Sequence, residues 1–243
     1  MKPLASASTQ AARTIGTIAL SALVGLPSGC RKAPAAAPVP AMPHGFVVAR
    51  PVSPLFDPAL APSRLDMHER DRWQQPARLV DTLRLKKGDT VADIGSGSGY
   101  LLPYLSRAVG PKGAVIAEEV QEGYLPPLRE RARRLPNVRV VMGTVVDPKL
   151  PMRSVDAFVL LTVYHEVDHP VDFLKTLRAY ARPNARLAII DFDAARKGDP
   201  PAPDGHYVAE SAVLQEAKAA GWELAERHDF ISSQFYLVFR QNR

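Results

Sequence analysis

Cysteine is almost absent from this chain of 243 residues, which contains only Cys30. A single cysteine cannot form an internal disulfide framework, and it cannot build a cysteine-rich metal site. The fold must therefore depend on a hydrophobic core. With 46% hydrophobic residues, the chain is long enough to bury one sizeable core.

Aromatic residues are also few, at 7%, although the formal net charge of +6 raises the question of a nucleic-acid partner. The densest basic run falls on a predicted helix, where its side chains face several directions; it consists of Arg129, Arg131, Arg133 and Arg134. No aromatic residue that could stack on bases is interleaved with this run. We therefore expect no nucleic-acid partner.

The apolar run near the N-terminus, residues 14–26, is shorter than the roughly 20 residues that cross a bilayer as a helix. It follows Lys2 and Arg13, and its length suits the apolar region of a signal peptide. The run ends in Leu26-Pro27-Ser28-Gly29-Cys30, which resembles the lipobox of bacterial lipoproteins, where the cysteine becomes lipidated. The sequence departs from that pattern at Pro27, where a leucine is usual.

Residues 1–30 are accordingly predicted to be a signal segment, and membrane attachment through the N-terminus as an exported lipoprotein of the cell envelope is expected. An ordinary signal-peptidase site near residues 35–37, an uncleaved anchor and a cytoplasmic location remain alternatives. Residues 31–64 are rich in alanine and proline, which is typical of an extended linker. The folded domain is expected over residues 65–243.

Predicted strands and helices alternate along this domain. Strands are expected at 90–94, 114–118, 138–142, 155–161, 186–192, 223–230 and 234–240, with helices at 100–109, 121–135, 171–181 and 208–220. Strands separated by helices predict an α/β, doubly wound and mostly parallel sheet, here of seven strands. The short turn at 231–233 makes the last two strands an antiparallel hairpin. A further helical segment before residue 88 is expected to cover the entrance of a pocket.

The most informative segment is the first predicted strand and the glycine loop that follows it, Val91 to Tyr100. A dinucleotide-binding fingerprint, G-x-G-x-x-G, is not met because Tyr100 stands where the last glycine is required. The pattern present is D-x-G-x-G-x-G. It resembles motif I of the class I S-adenosylmethionine (SAM)-dependent methyltransferases. That resemblance implies SAM as cofactor and a seventh strand inserted beside the fifth.

The resemblance and the chemistry of SAM together select the cofactor-binding residues. Asp93 would balance the ammonium group of the methionyl moiety, and backbone N–H groups of the loop would bind its carboxylate. A carboxylate at the end of the second strand would accept both ribose hydroxyls; we prefer Glu119 over Glu118, which is expected to be a surface acid. The full set of predicted cofactor residues is Asp93, Gly95, Ser96, Gly97, Gly99, Glu119, Gly143, Thr144 and Asp147. The last of these is either an adenine contact or a turn residue.

Catalytic residues are expected after the fourth strand, in Tyr164-His165-Glu166. His165 is the preferred general base, with a backbone-bonded structural histidine as the alternative, and Tyr164 either lines the methyl channel or packs in the core. His206 and Tyr207 belong to a proline-rich loop that could cap the acceptor site. Glu166 and Asp191 make a weak case for a metal, so none is expected.

The sequence therefore predicts a SAM-dependent methyltransferase that acts on a small molecule. The main alternative is a membrane-tethered, non-catalytic SAM- or nucleoside-binding protein, because SAM is made in the cytoplasm and the N-terminus indicates export. A nicotinamide-dependent oxidoreductase is disfavoured by Tyr100.

Overall fold

A computed structural model describes residues 50–59 and 68–242. The predicted signal segment, residues 1–30, and most of the predicted linker lie outside these ranges. Within the described residues, no helix is both long and apolar enough to cross a membrane. Residues 50–59 fall inside the predicted linker but contact the domain, because Arg50 forms an ion pair with Glu216 at 3.0 Å. This ion pair ties the start of the described part of the linker to the domain.

The elements alternate as the sequence predicts. Two helices come first, and strands then alternate with helices, except that the third strand is followed directly by the fourth and the chain ends in a pair of strands. Their bounds are α1 His68–Gln74, α2 Pro76–Thr82, β1 Thr90–Ile94, α3 Leu102–Val109, β2 Ala114–Glu119, α4 Leu125–Ala132, β3 Val138–Met142, β4 Val155–Leu161, α5 Pro170–Tyr180, β5 Ala181–Phe192, α6 Glu210–Ala219, β6 Trp222–His228 and β7 Gln234–Gln241. Short 3₁₀ turns lie at Glu122–Tyr124 and Tyr164–Glu166.

The strands form one seven-stranded sheet in the order β3-β2-β1-β4-β5-β7-β6. The first five strands are parallel, while β7 runs antiparallel to both β5 and β6. The predicted fold class, including the C-terminal hairpin and the insertion of the seventh strand beside the fifth, is confirmed. The strand order reverses between β1 and β4, so their carboxyl ends open a crevice at that point.

Both faces of the central strands are buried. Along β4, Phe158 and Leu160 pack into one core cluster, whereas Ala157 and Val159 pack into the other. This alternation follows from the two-residue period of a strand covered by helices on both sides. Trp222 anchors the first cluster and donates its indole N–H to the carbonyl of Leu174 at 3.0 Å.

Several predicted boundaries differ from the structure. The helix predicted from residue 100 begins at Leu102, because Gly99 to Leu101 turn out of the glycine loop first. The helix predicted over 121–135 divides into a 3₁₀ turn and α4, whose first turn contains two prolines. Strand β5 starts five residues earlier than predicted. Its pairing with β4 shifts register between Val155 and Ala157, which accommodates the extra residues.

Candidate active site

The glycine loop between β1 and α3 turns sharply at the carboxyl edge of the sheet. Gly95, Gly97 and Gly99 have φ angles of 65°, 55° and 85°, a region that residues with a Cβ rarely adopt. Gly99 also lies against α3 and α4, where a Cβ would meet Leu102 Cδ1 at 2.8 Å and Leu128 Cδ1 at 3.0 Å. Gly99 therefore serves packing, while the cavity is lined by residues 95–98.

The loop and the end of β2 are joined by hydrogen bonds. The N–H of Gly97 donates to Glu119 Oε2 at 2.8 Å, and the N–H of Gly95 donates to Glu118 Oε2 at 3.2 Å. Glu119 Oε1 accepts two further backbone N–H groups, from Val120 and Gln121. The two predicted cofactor elements therefore open onto the same cavity.

Two predictions about this region need correction. Glu118 was expected to be a surface acid, but it is 2% exposed, because β3 covers the end of β2. The loop N–H groups expected for the SAM carboxylate are partly committed, since those of Gly95 and Gly97 donate to the two glutamates. A carboxylate of a ligand needs a different partner here.

The carboxyl groups around the loop favour a positively charged ligand. Burial raises the pKa of Asp93 from 3.8 to about 7, despite a hydrogen bond from Ser96. Burial also raises the pKa of Glu118 to about 8, and repulsion from Glu119 adds to this effect. Among the described residues, Oε1 of Glu118 has no hydrogen-bond partner. Three acids so close together are stabilised in their charged form by a cation.

Of the three residues predicted after β3, one lines the cavity and two support the structure around it. Thr144 lines the cavity. Gly143 permits close approach of the strands, because a Cβ there would lie 1.9 Å from Glu118 Oε1. Asp147 does not line the cavity; its Oδ1 accepts hydrogen bonds from the Tyr180 hydroxyl at 2.6 Å and from the Lys149 N–H at 2.8 Å. This geometry matches the turn interpretation of Asp147 and not the adenine contact.

His165 lies at the carboxyl ends of β4 and β5, where the acceptor side of the cavity was predicted. Its Nδ1 is 2.8 Å from Asp191 Oδ1, and its backbone N–H donates to Asp191 Oδ2 at 3.0 Å. Burial alone would lower the pKa of His165, but the carboxylates of Asp191 and Glu166 together outweigh burial and raise it. Since a carboxylate accepts at Nδ1, the neutral imidazole presents its Nε2 lone pair to the cavity.

Tyr164, predicted as a second catalytic residue, points away from the cavity. Its side chain is fully buried in the core, and its hydroxyl donates to Glu216 Oε2 at 2.8 Å. Glu216 also pairs with Arg50. The backbone turn that directs His165 into the cavity therefore directs Tyr164 to the opposite side, and the methyl-channel role is not supported.

The loop after β5 supplies a second histidine. His206 lines the cavity, with its Nδ1 3.4 Å from His165 Nε2, whereas the neighbouring Tyr207 is 45% exposed. Of the two predicted capping residues, His206 alone reaches the acceptor side.

Several cavity residues were not predicted from the sequence, and two of them, Arg70 and Phe56, make polar contacts with predicted ones. Arg70 of α1 lines the cavity, stacks on the Tyr100 ring at 4.0 Å and lowers the pKa of Asp93 by its charge. Phe56 also lines the cavity, and its N–H donates to Glu166 Oε1 at 3.0 Å. Arg70 lies among other charged residues at positions 69–72, and nothing in the local pattern fixes which of these charges turns inward.

The cavity measures about 590 Å³, which lies within the usual range for small-molecule sites. It extends from the glycine loop to the two histidines. Between these ends its walls include the apolar side chains Leu55, Phe56, Trp73, Leu161, Phe173 and Phe192.

Comparison with known proteins identifies the family of this fold and site. A family model described as "Methyltransferase domain" matches residues 92–189. The chain is 30% identical over 143 residues to 2-phytyl-1,4-naphtoquinone methyltransferase of Synechococcus elongatus, covering 58% of this chain and 60% of that protein. It is 26% identical over 116 residues to Ubiquinone/menaquinone biosynthesis C-methyltransferase UbiE of Escherichia fergusonii, covering 46% of each. The chain thus spans about half to three fifths of the length of these curated relatives.

A solved structure provides broader coverage. The crystal structure of a SAM-dependent methyltransferase from Aquifex aeolicus superposes with a TM-score of 0.72 at 32% identity. The match covers 77% of this chain and the whole of that one. With the glycine loop, the sheet order and this full-length match in place, the chain belongs to the class I SAM-dependent methyltransferases.

Proposed function

We propose that the protein transfers a methyl group from SAM to a small, apolar, aromatic acceptor. The observation that carries this proposal is the 2.8 Å hydrogen bond from Gly97 N–H to Glu119 Oε2, which brings the glycine loop and the acid proposed to bind ribose to one cavity. Bound SAM would supply the electrophilic methyl group on its sulfonium. The protein's task is then to bind and align the two reactants.

The polar groups at the loop end suit the charges of SAM. Asp93, with its pKa raised to about 7, gains from an ammonium group beside it. Arg70 lies on the same side of the cavity and offers a planar donor for the methionyl carboxylate, which replaces the loop N–H groups in that role. Among the described residues, Glu119 Oε2 accepts from Gly97 alone, so it retains a lone pair for a ribose hydroxyl.

The acceptor end is apolar apart from a few polar groups. Trp73, Phe173 and Phe192 line this cavity, while His165 presents its Nε2 to it. Aromatic walls with a few directed polar groups are typical of sites for aromatic ligands. Quinone methyltransferases are among the similar proteins, which supports an aromatic acceptor of related chemistry here.

Calorimetric titration of the full chain with SAM and with NAD tests cofactor choice. We expect SAM to bind and NAD to give no heat. Glu119→Gln should weaken SAM binding at least tenfold, whereas Glu122→Gln, an exposed acid three residues away, should leave it unchanged. If Glu119→Gln binds SAM as tightly as the wild type does, the pocket assignment is refuted.

Turnover separates an enzyme from a binding protein that uses the same pocket. Incubation with methyl-deuterated SAM and small-molecule cell extract should yield a labelled product detectable by mass spectrometry. Gly97→Leu serves as a control that removes the cofactor site. SAM binding without any labelled product would favour the non-catalytic alternative.

We further propose that the chain is exported and attached to the cell-envelope membrane through a lipidated Cys30. This proposal rests on the lipobox-like sequence alone, which lies outside the described residues. A membrane fraction containing protein that begins at a diacylated Cys30 would support it. Native protein with an unmodified Met1 in the soluble fraction would contradict it and favour a cytoplasmic location.

A further inference from the structure

We propose that His165, Glu166 and His206 form a binding site for a divalent first-row transition-metal ion at the acceptor end of the cavity. No metal was expected from the sequence, where Glu166 and Asp191 made only a weak case for one. The structure instead binds Asp191 to His165 and brings Glu166 next to His206. Two imidazoles and one carboxylate are a ligand set that suits zinc or iron(II).

The three donor atoms have the spacing that a shared ion requires. His165 Nε2 lies 3.4 Å from His206 Nδ1 and 3.7 Å from Glu166 Oε1, and His206 Nδ1 lies 4.0 Å from the same Oε1. The point equidistant from these atoms is about 2.2 Å from each, close to zinc–ligand distances of about 2.0 to 2.2 Å. Shifts of a few tenths of an ångström complete the site.

The two histidines meet edge to face, with a long contact between their ring nitrogens. A distance of 3.4 Å between two ring nitrogens is longer than a normal hydrogen bond. The two imidazole rings are also nearly perpendicular, at 89°. An ion between the nitrogens uses both lone pairs at once.

The surrounding residues orient the ligands as metal sites commonly do. Asp191 holds Nδ1 of His165, so that Nε2 faces the cavity. The Phe56 N–H holds Glu166 Oε1 at 3.0 Å, and the Phe56 ring lies edge-on to His206 at 5.6 Å. Carboxylate or backbone partners of this kind fix the tautomer and direction of a metal ligand. The nearby cation Arg50 is neutralised by Glu216 at 3.0 Å.

Three protein ligands leave one coordination position open toward the cavity. An acceptor hydroxyl bound there would become more acidic through the Lewis acidity of the ion. Metal coordination and direct proton abstraction would both use the single Nε2 lone pair of His165. The metal experiment therefore chooses between them.

The test is titration of the full chain, stripped of metal by a chelator, with Zn²⁺ by calorimetry and with Co²⁺ by visible absorption. We expect one ion per chain, with no comparable binding of Mg²⁺. Glu166→Gln and His206→Ala should each weaken Zn²⁺ binding at least tenfold. Asp191→Asn, which removes the charged partner of His165 Nδ1, should weaken it about 10- to 100-fold.

His169→Ala and Asp168→Asn are matched controls, because both residues are adjacent in sequence to this cluster but about 70% exposed. They should leave Zn²⁺ binding unchanged. Failure of the wild type to bind Zn²⁺ stoichiometrically would overturn the proposal, as would equal binding by the Glu166 and His206 variants. SAM titration of the same metal-free protein keeps the two proposals apart, because its outcome depends on the glycine loop and not on this cluster.

Discussion

Replacing Asp93 by asparagine should make the protein more stable at alkaline pH and weaken its binding of SAM. The pKa of Asp93 is about 7 in the folded protein, compared with 3.8 ordinarily, because burial disfavours the charged form. Between about pH 4 and pH 7 the folded protein keeps a proton that the unfolded chain has lost. Stability therefore falls as pH rises through that interval and stays low above it.

The size of the effect follows from the two pKa values. At 1.36 kcal/mol per pH unit, ionising Asp93 in the folded state costs up to about 4 kcal/mol by pH 8. Asparagine keeps the shape of the side chain but does not ionise. Asp93→Asn should thus raise the free energy of unfolding by about 1 to 4 kcal/mol at pH 8, and by less than about 1 kcal/mol at pH 4.5.

Urea unfolding at both pH values measures the stability, and calorimetry at pH 8 measures the affinity for SAM. We expect SAM binding at least tenfold weaker, or about 1.4 kcal/mol, because the ammonium group loses its counter-charge. Asp81→Asn, at an exposed position on α2, is the control and should change neither quantity. A variant that is destabilised equally at both pH values, or that binds SAM normally, would refute this reasoning.

Three further outcomes can be measured directly. SAM binding should release protons between pH 7 and pH 8, because a bound cation lowers the raised pKa values of Asp93 and Glu118. Calorimetry in buffers of different ionisation enthalpy measures this release. A binding enthalpy that does not depend on the buffer would contradict it. Gly143→Ala should lower the free energy of unfolding by roughly 1 to 3 kcal/mol, because the new Cβ would displace Glu118 Oε1. A melting curve like that of the wild type would show that residue 143 and Glu118 do not pack this closely. Trp222→Phe should cost about 1 to 3 kcal/mol in urea unfolding, because the indole N–H bond to the Leu174 carbonyl is lost and the smaller ring leaves space in the core. An unchanged midpoint would count against this account.

The sheet could be predicted from the sequence because strand and helix patterns are local. Apolar runs such as Val155–Leu161 mark strands buried on both faces, and the short turn at 231–233 fixes the terminal hairpin. The bounds that differed depend on contacts from elsewhere. The early start of β5, for example, follows from its irregular pairing with β4, which no local pattern in β5 reveals.

The site was predictable where a motif fixes the backbone and was not where a side chain can turn either way. Glycines at 95 and 97 and the acid at Glu119 lie together as the spacing predicted. Tyr164 and His165 are adjacent in sequence, yet one enters the core and the other the cavity. The inward direction of Glu118 and the approach of Phe56 depend on tertiary packing, which spacing along the chain does not encode.

The most direct test of the account is a crystal structure of the protein with S-adenosylhomocysteine. We expect the ribose hydroxyls within about 3 Å of the Glu119 carboxylate and the methionyl amine beside Asp93, with its carboxylate facing Arg70. A ligand bound elsewhere, or bound with its ribose away from Glu119, would contradict the assignment of this cavity as the methyl-donor site.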